Sequence, residues 1–267
     1  MIKKRKPTVA LVLSILSPGL GHVYAGNVKK GLLLFLLQYG VLFLLGKLGL
    51  LSTAYGIWFS ILFLACLYLY AMFSAVRLAL ANKTYELKPY NRWYWYLAIF
   101  ALILVVSQTL ISSRGSMLGF ELYQVPSNPM KPTLQPGDYI AVDTQDQSLN
   151  IGDVVVFRYP NNRQVLFTQR IVALGNDKVA IKDGQVMLNG EPELISSVDE
   201  SFRCSDVSIS MPERVVPEGQ VFVLGDWRDN SNDSRYWGAL PESDVIGIVT
   251  YIWLSKEFSR IGNKIKR

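Results

Sequence analysis

The chain has 267 residues, half of them hydrophobic, and a formal net charge of +6. Its single histidine, His22, excludes a Ser-His-Asp triad and a histidine-based metal site, because both need more imidazole than one ring supplies. Its two cysteines, Cys66 in an apolar segment and Cys204 in a polar one, exclude a disulfide framework and are expected to remain unpaired.

Composition divides the chain near residue 112. Residues 1–112 are almost continuously apolar, with few acids. Four apolar segments stand out, at about 8–25, 31–50, 55–81 and 93–112. A membrane span needs about 20 apolar residues, and the last three segments meet that length. The first is interrupted by Ser17-Pro18-Gly19 and by Gly21-His22, which predicts a broken hairpin that does not span. Glycines at 19, 21, 26 and 31 are suited to close helix approach. His22 is expected at headgroup level. Trp93, Tyr94, Trp95 and Tyr96 form an aromatic belt at the start of the last segment.

Basic residues orient such a region. Lys3 to Lys6, Lys29-Lys30, and the group Arg77, Lys83, Lys88 and Arg92 all face the cytoplasm if three segments span. The domain from 113 onward then lies outside the cytoplasm. The basic ends, including Lys264, Lys266 and Arg267, read as topology signals and contacts with membrane lipid, not as a nucleic-acid site.

Residues 113–125 lead out of the apolar region. Met117, Leu118, Phe120 and Leu122 read either as a segment dipping into the membrane surface or as a first strand. The stretch 123–138 carries prolines at 126, 129, 132 and 136. Each fixes φ and removes a donor, so a rigid extended loop is predicted, closed by a turn at Pro136-Gly137. Short β-branched runs follow at 139–142, 153–159, 165–173, 178–181, 185–188, 220–224 and 244–253, separated by turn residues. They predict a mainly-β, antiparallel domain over 113–267. Residues 191–218 read as irregular and 255–267 as a frayed tail.

Four blocks carry a resemblance. Pro126–Leu134 (PSNPMKPTL), Gly152–Phe157 (GDVVVF), Gln169–Val172 (QRIV) and Gly225–Gly238 (GDWRDNSNDSRYWG) stand in that order. They resemble the blocks of type I signal peptidases (leader peptidases), over roughly residues 120–255. The resemblance implies a serine endopeptidase fold and signal-peptide processing in protein secretion. It implies a location in the bacterial inner (cytoplasmic) membrane with the working domain outside.

Two departures fall where the chemistry belongs. The family's nucleophilic serine precedes the Met of the first block, and that position is Pro129 here. Its general-base lysine precedes the Arg of the third block, and that position is Gln169 here. An amide takes no proton from a hydroxyl at neutral pH. By resemblance, Ser127 lines the oxyanion side, and Ser231, Asp233 and Arg235 support the site. Trp227 replaces a usual Asn. Asp226 to Asp233 does not follow the order of a calcium loop. Its acids are expected to cap turns and to pair with Arg228 and Arg235. No metal or cofactor is implied.

Two readings follow. The first is a catalytically inactive homologue, a pseudoenzyme that binds an extended peptide along a strand edge. Its partner would be an exported precursor or signal peptide, an active signal peptidase, or an assembly machine. The second is an active enzyme with Ser127 as a relocated nucleophile and Lys131 or Lys178 as base. Ser116, beside Met117, lacks the following Pro-Thr-Leu and is set aside.

Overall fold

The computed structural model describes residues 2–82, 85–146, 148–193 and 210–265. Cys204, Lys83, Lys266, Arg267 and most of the segment read as irregular lie outside the described residues. The chain forms two compact units.

The first unit holds residues 1–51 and 55–119. Its helices are α1 (Pro7–Leu16), α2 (Leu20–Ala25), α3 (Val28–Lys47), α4 (Ala54–Ala81), α5 (Trp93–Ser112) and α6 (Arg114–Leu118). A two-stranded ribbon pairs β1 (Ile2–Lys3) with β2 (Tyr85–Glu86). Helices α3, α4 and α5 are long and apolar enough to cross a membrane. They expose large apolar side chains, among them Leu33, Leu62 and Val105, as a helix facing lipid does. Helix α1, at 10 residues, is too short to span.

Ser17-Pro18-Gly19 breaks α1 from α2, and Gly19 takes φ 104°, which favours glycine. A Cβ on Gly31 would lie 2.8 Å from the Gly19 carbonyl oxygen, so α2 and α3 meet through their backbones. Helix α3 begins three residues earlier than its apolar run, because Asn27 caps it: Oδ1 accepts from the Lys30 N–H at 3.0 Å. His22 is fully buried, with Nε2 2.7 Å from Ser74 Oγ of α4. Helix packing takes up the imidazole. Cys66 is an exposed thiol on α4.

The second unit holds residues 120–267 and the turn Ser52–Ala54. Thr250 Oγ1 donates to the Ser52 carbonyl at 2.8 Å, and Ser52 Oγ donates to Asp143 Oδ2 at 2.9 Å. The unit is built on antiparallel sheets. Seven strands pair in the order β12-β11-β6-β5-β13-β4-β3. They are β3 (Phe120–Gln124), β4 (Tyr139–Asp143), β5 (Val154–Tyr159), β6 (Asn162–Ala173), β11 (Gln220–Leu224), β12 (Leu240–Pro241) and β13 (Val245–Leu254). Four more pair in the order β10-β7-β8-β9: β7 (Lys178–Lys182), β8 (Gln185–Leu188), β9 (Glu191–Pro192) and β10 (Met211–Val215).

Strand β5 shows why its run is continuously apolar. Val154 and Val156 pack into one core with Met130, Leu134 and Ile140. Val155 and Phe157 pack into another with Ile171, Val221 and Val223. Successive side chains point to opposite faces, and both faces are buried here.

Three expectations change. Of the two readings of 113–125, the strand holds from Phe120, after the short helix α6. The loop after β3 is not extended: it bends at Ser127-Asn128 and turns through Pro129 to Thr133. The Lys131 N–H donates to the Asn128 carbonyl at 2.9 Å and the Leu134 N–H to Met130 at 2.7 Å, so donors left between the prolines close turns. The tail is not frayed through residue 265. Its Gly262 N–H donates to the Ile252 carbonyl at 2.7 Å, and Ile265 to Thr250 at 3.0 Å. Strands β9 and β10, inside the stretch read as irregular, are a further difference.

Candidate functional site

The four blocks converge at the end of β11. This strand pairs with β6 up to Leu224 opposite Arg170, and there the chain leaves the sheet. Gly225 follows. A Cβ on it would stand 2.6 Å from Ser231 Cβ and 2.7 Å from the Pro129 carbonyl oxygen, so only glycine lets these segments close on one another. The Trp227 N–H then donates to the Pro129 carbonyl at 2.9 Å, tying the first block to the last.

Gln169 and Arg170 are neighbours on β6 and point to opposite faces. Arg170 is fully buried. Its Nε and Nη2 donate to the two carboxylate oxygens of Asp226 at 2.9 and 2.8 Å. Its Nη1 donates to the Gly152 carbonyl at 2.7 Å. The Thr133 hydroxyl donates to Asp226 Oδ2 at 2.5 Å. Residues from all four blocks thus meet in one charged cluster.

On the other face Gln169 is 2% exposed. Its amide nitrogen donates to the Asn232 carbonyl at 2.9 Å and to Ser231 Oγ at 3.2 Å. The Asn232 carbonyl only accepts, which fixes the orientation of the amide. Its Oε1 is buried and has no hydrogen-bond partner among the described residues.

A second acid–arginine pair braces the Ser231 loop. Arg235 Nε donates to Asp233 Oδ1 at 2.8 Å and Nη2 to Oδ2 at 2.9 Å. Arg235 also donates to the Arg228 carbonyl at 2.5 Å, and Asp233 accepts from the Gly225 N–H at 3.1 Å. Beneath the first block, Arg260 reaches the Asp138 carboxylate at 2.7 Å and the Thr133 carbonyl at 2.9 Å. Burial pushes the Asp138 carboxyl up. Hydrogen bonds from Arg260, the Gln135 N–H and Ser255, with the Arg260 charge, outweigh it and hold the group below its usual value.

Of the residues named from sequence, Pro129, Gln169, Ser231, Asp233 and Arg235 come together through these bonds. Ser127 lies on the exposed bend two residues before Pro129. Lys131 does not approach as a base: its ammonium sits 5.7 Å from the centre of the Trp227 ring. Lys178 is on the other sheet and pairs with Glu213 at 3.7 Å. Ser116 is on α6, and its hydroxyl donates to the Ser113 carbonyl at 3.1 Å. The roles of Thr133, Arg170, Asp226, Asp138 and Arg260 were not read from sequence. The available signal was a charged residue in an apolar strand, as in Gln169-Arg170-Ile171-Val172.

The family described as "Signal peptidase, peptidase S26" matches residues 92–254. A probable signal peptidase I-1 of Synechocystis sp. is 36% identical over 133 residues, covering 46% of this chain and 65% of its own length. Signal peptidase I of Pseudomonas fluorescens is 31% identical over 201 residues, covering 53% of this chain and 70% of its own. A solved signal peptidase I of Enterococcus faecalis V583 aligns at 25% identity with a TM-score of 0.32, over 39% of this chain and 97% of its own.

Proposed function

The chain belongs to the signal peptidase family, peptidase S26, and from that premise we propose that it binds extended peptides without cleaving them. In this reading Pro129 and Gln169 stand where the family carries its serine and lysine. The observation that carries it is Gln169. Its amide is turned toward Ser231 and Asn232 and donates to both. It fills the place of a base and holds the loop, but it has no lone pair able to take a proton at neutral pH. Pro129 offers no hydroxyl, and its carbonyl is engaged by Trp227.

Two strand edges support peptide binding by strand addition. Strand β3, which leads into the Ser127 bend, is an outer strand of the seven-stranded sheet. Strand β11 pairs with β6 only from Arg170 onward, so among the described residues one edge of β6 before Gln169 has no strand beside it. The partner is an exported precursor or its signal peptide, with an active signal peptidase as the next candidate.

The proposed setting is the cytoplasmic membrane, with α3, α4 and α5 as spans, the N-terminus inside and the sheet unit outside. It rests on the basic residues at 3–6, 29–30 and 77–92. The turn Ser52–Ala54, between the first two spans, belongs to the sheet unit, as the same sidedness requires. Phosphatase reporters fused after Leu80 and after Ser113 test this setting. The first should be silent and the second active; the reverse contradicts it.

The function is tested on the full chain in detergent with a fluorescent signal-peptide precursor, reading binding and cleavage together. Saturable binding with no cleavage is expected. Cleavage that disappears in Ser127→Ala would instead establish the relocated nucleophile, which the exposure of Ser127 favours.

A further inference from the structure

Two of the buried arginines share one habit, and Arg5 departs from it. Arg170 and Arg235 each present Nε and Nη2, the two donors on one edge of the guanidinium, to both oxygens of a carboxylate. Arg5 is 5% exposed, and its Nε and Nη2 are buried with no hydrogen-bond partner among the described residues. The tyrosine rings of 24 and 85 lie against the cation, with centroids 4.6 and 4.5 Å from its carbon. Rings satisfy the faces of a guanidinium but not the N–H groups in its plane. A buried charge with empty donors is costly.

Among the described residues no carboxylate pairs with Arg5. Residues 1–119 contain a single acid, Glu86, and its residue is exposed. The surroundings are cationic instead. Lys4 and Lys6 flank Arg5 in sequence, and β1 pairs with β2 so that residue 3 stands opposite Tyr85. Tyr85 in turn hydrogen-bonds Tyr90 at 3.1 Å. On that same segment Lys88, Arg92, Leu87, Pro89 and Asn91 line a cavity of about 460 Å³. The segment joins α4 to α5, and Arg5 stands two residues before α1 begins. If α4 and α5 span the membrane, as proposed above, this is the depth of the headgroups.

We propose that Arg5, caged by Tyr24 and Tyr85, binds the phosphate of an anionic lipid headgroup. Two phosphate oxygens take the Nε/Nη2 edge, as Asp226 and Asp233 do elsewhere. Lys88 and Arg92 add attraction for net negative charge. The inference uses the membrane setting but neither the peptide site nor its chemistry.

The test uses the full chain in detergent, titrated with phosphatidylglycerol, phosphatidylcholine or inorganic phosphate. Retained lipid is read by native mass spectrometry and stability by thermal unfolding. Phosphatidylglycerol should be retained and should raise the unfolding temperature more than phosphatidylcholine does. Arg5→Leu should weaken its retention by about tenfold or more, the worth of a charged two-point hydrogen bond. Without anion, Arg5→Leu should unfold no earlier than the starting protein, because it removes an unpaired charge. Lys4→Ala, an exposed neighbour, should change retention little. If Arg5→Leu fails to fold, Arg5→Lys decides: it keeps the charge but not the edge, and should still lose most of the retention. Stabilisation by inorganic phosphate and not by phosphatidylglycerol would overturn the lipid assignment. Retention unchanged in both Arg5 variants would overturn the site.

Discussion

The site contains a frame and two positions the frame surrounds, and this sequence treats them differently. The frame is saturated: Arg170 with Asp226 and Thr133, Arg235 with Asp233, and Arg260 with Asp138. At positions 129 and 169 there is no titratable group at all. The difference follows from energetics. Removing one member of a buried ion pair strands the other charge, at a cost of about 3–5 kcal/mol. Replacing an exposed or neutral reacting group costs little, so folding alone retains the frame and is indifferent to chemistry.

Breaking the frame should therefore give the largest effects. Asp226→Ala leaves the Arg170 guanidinium unpaired beside Gly152. It should lower the urea unfolding free energy of the full chain by about 3–5 kcal/mol. The double change Asp226→Leu with Arg170→Met should recover most of that loss. If the double variant is as unstable as the single, the pair does more than satisfy itself.

Gly225→Ala comes next. The added methyl meets the Pro129 carbonyl and the Ser231 side chain. It should cost on the order of 1–3 kcal/mol, as overpacking does. A neutral outcome would mean that the first and last blocks are not held in contact.

The Asp138–Arg260 pair sharpens the comparison through pH. The folded state holds the Asp138 carboxyl below its ordinary value. Its stabilisation is therefore complete above the ordinary carboxylate range and is lost as pH falls through the depressed folded value. Arg260→Met should flatten acid unfolding in that window. An unchanged acid profile would remove Asp138 from the frame.

The smallest effects are expected at Gln169 and Ser127. Gln169→Met removes two hydrogen bonds but also the unpartnered Oε1, so a net change under about 1 kcal/mol is expected. Ser127→Ala, on the exposed bend, should fall within about 0.5 kcal/mol and leave peptide binding intact. A large loss of binding in Ser127→Ala would give that hydroxyl a direct contact.

Much of this was legible in the sequence because the signals were local. The three long apolar helices and the strands β5, β6, β7 and β8 followed from period and turn residues. The four blocks marked the site through their resemblance to the family's blocks, three with turn residues and the third, Gln169–Val172, inside β6. What was not legible depends on contacts between distant segments. Nothing local in Phe258–Arg260 announces that Arg260 reaches back to Asp138, so the tail read as frayed. Nothing local in prolines 126, 129 and 132 announces that the Asn128 and Met130 carbonyls fold the loop into turns. Arg5 looked like one of four basic residues in a topology signal, and only the two tyrosine rings set it apart.

The most direct test of the proposed reading places the family's serine and lysine at the two positions that reading assigns to them. Loss of a nucleophile or base costs on the order of 10⁴–10⁶ in rate, and losing both costs about as much as losing one. Either single reversion, Pro129→Ser or Gln169→Lys, should therefore gain nothing measurable. The double reversion places a hydroxyl beside Ser127 and an amine within reach of Ser231, in a buried position that lowers the lysine pKa toward a working base. The measurement is cleavage of a signal-peptide precursor in detergent by all four proteins. The account predicts slow cleavage at the signal-peptide junction by the double revertant alone. Efficient cleavage by the unaltered chain would contradict it.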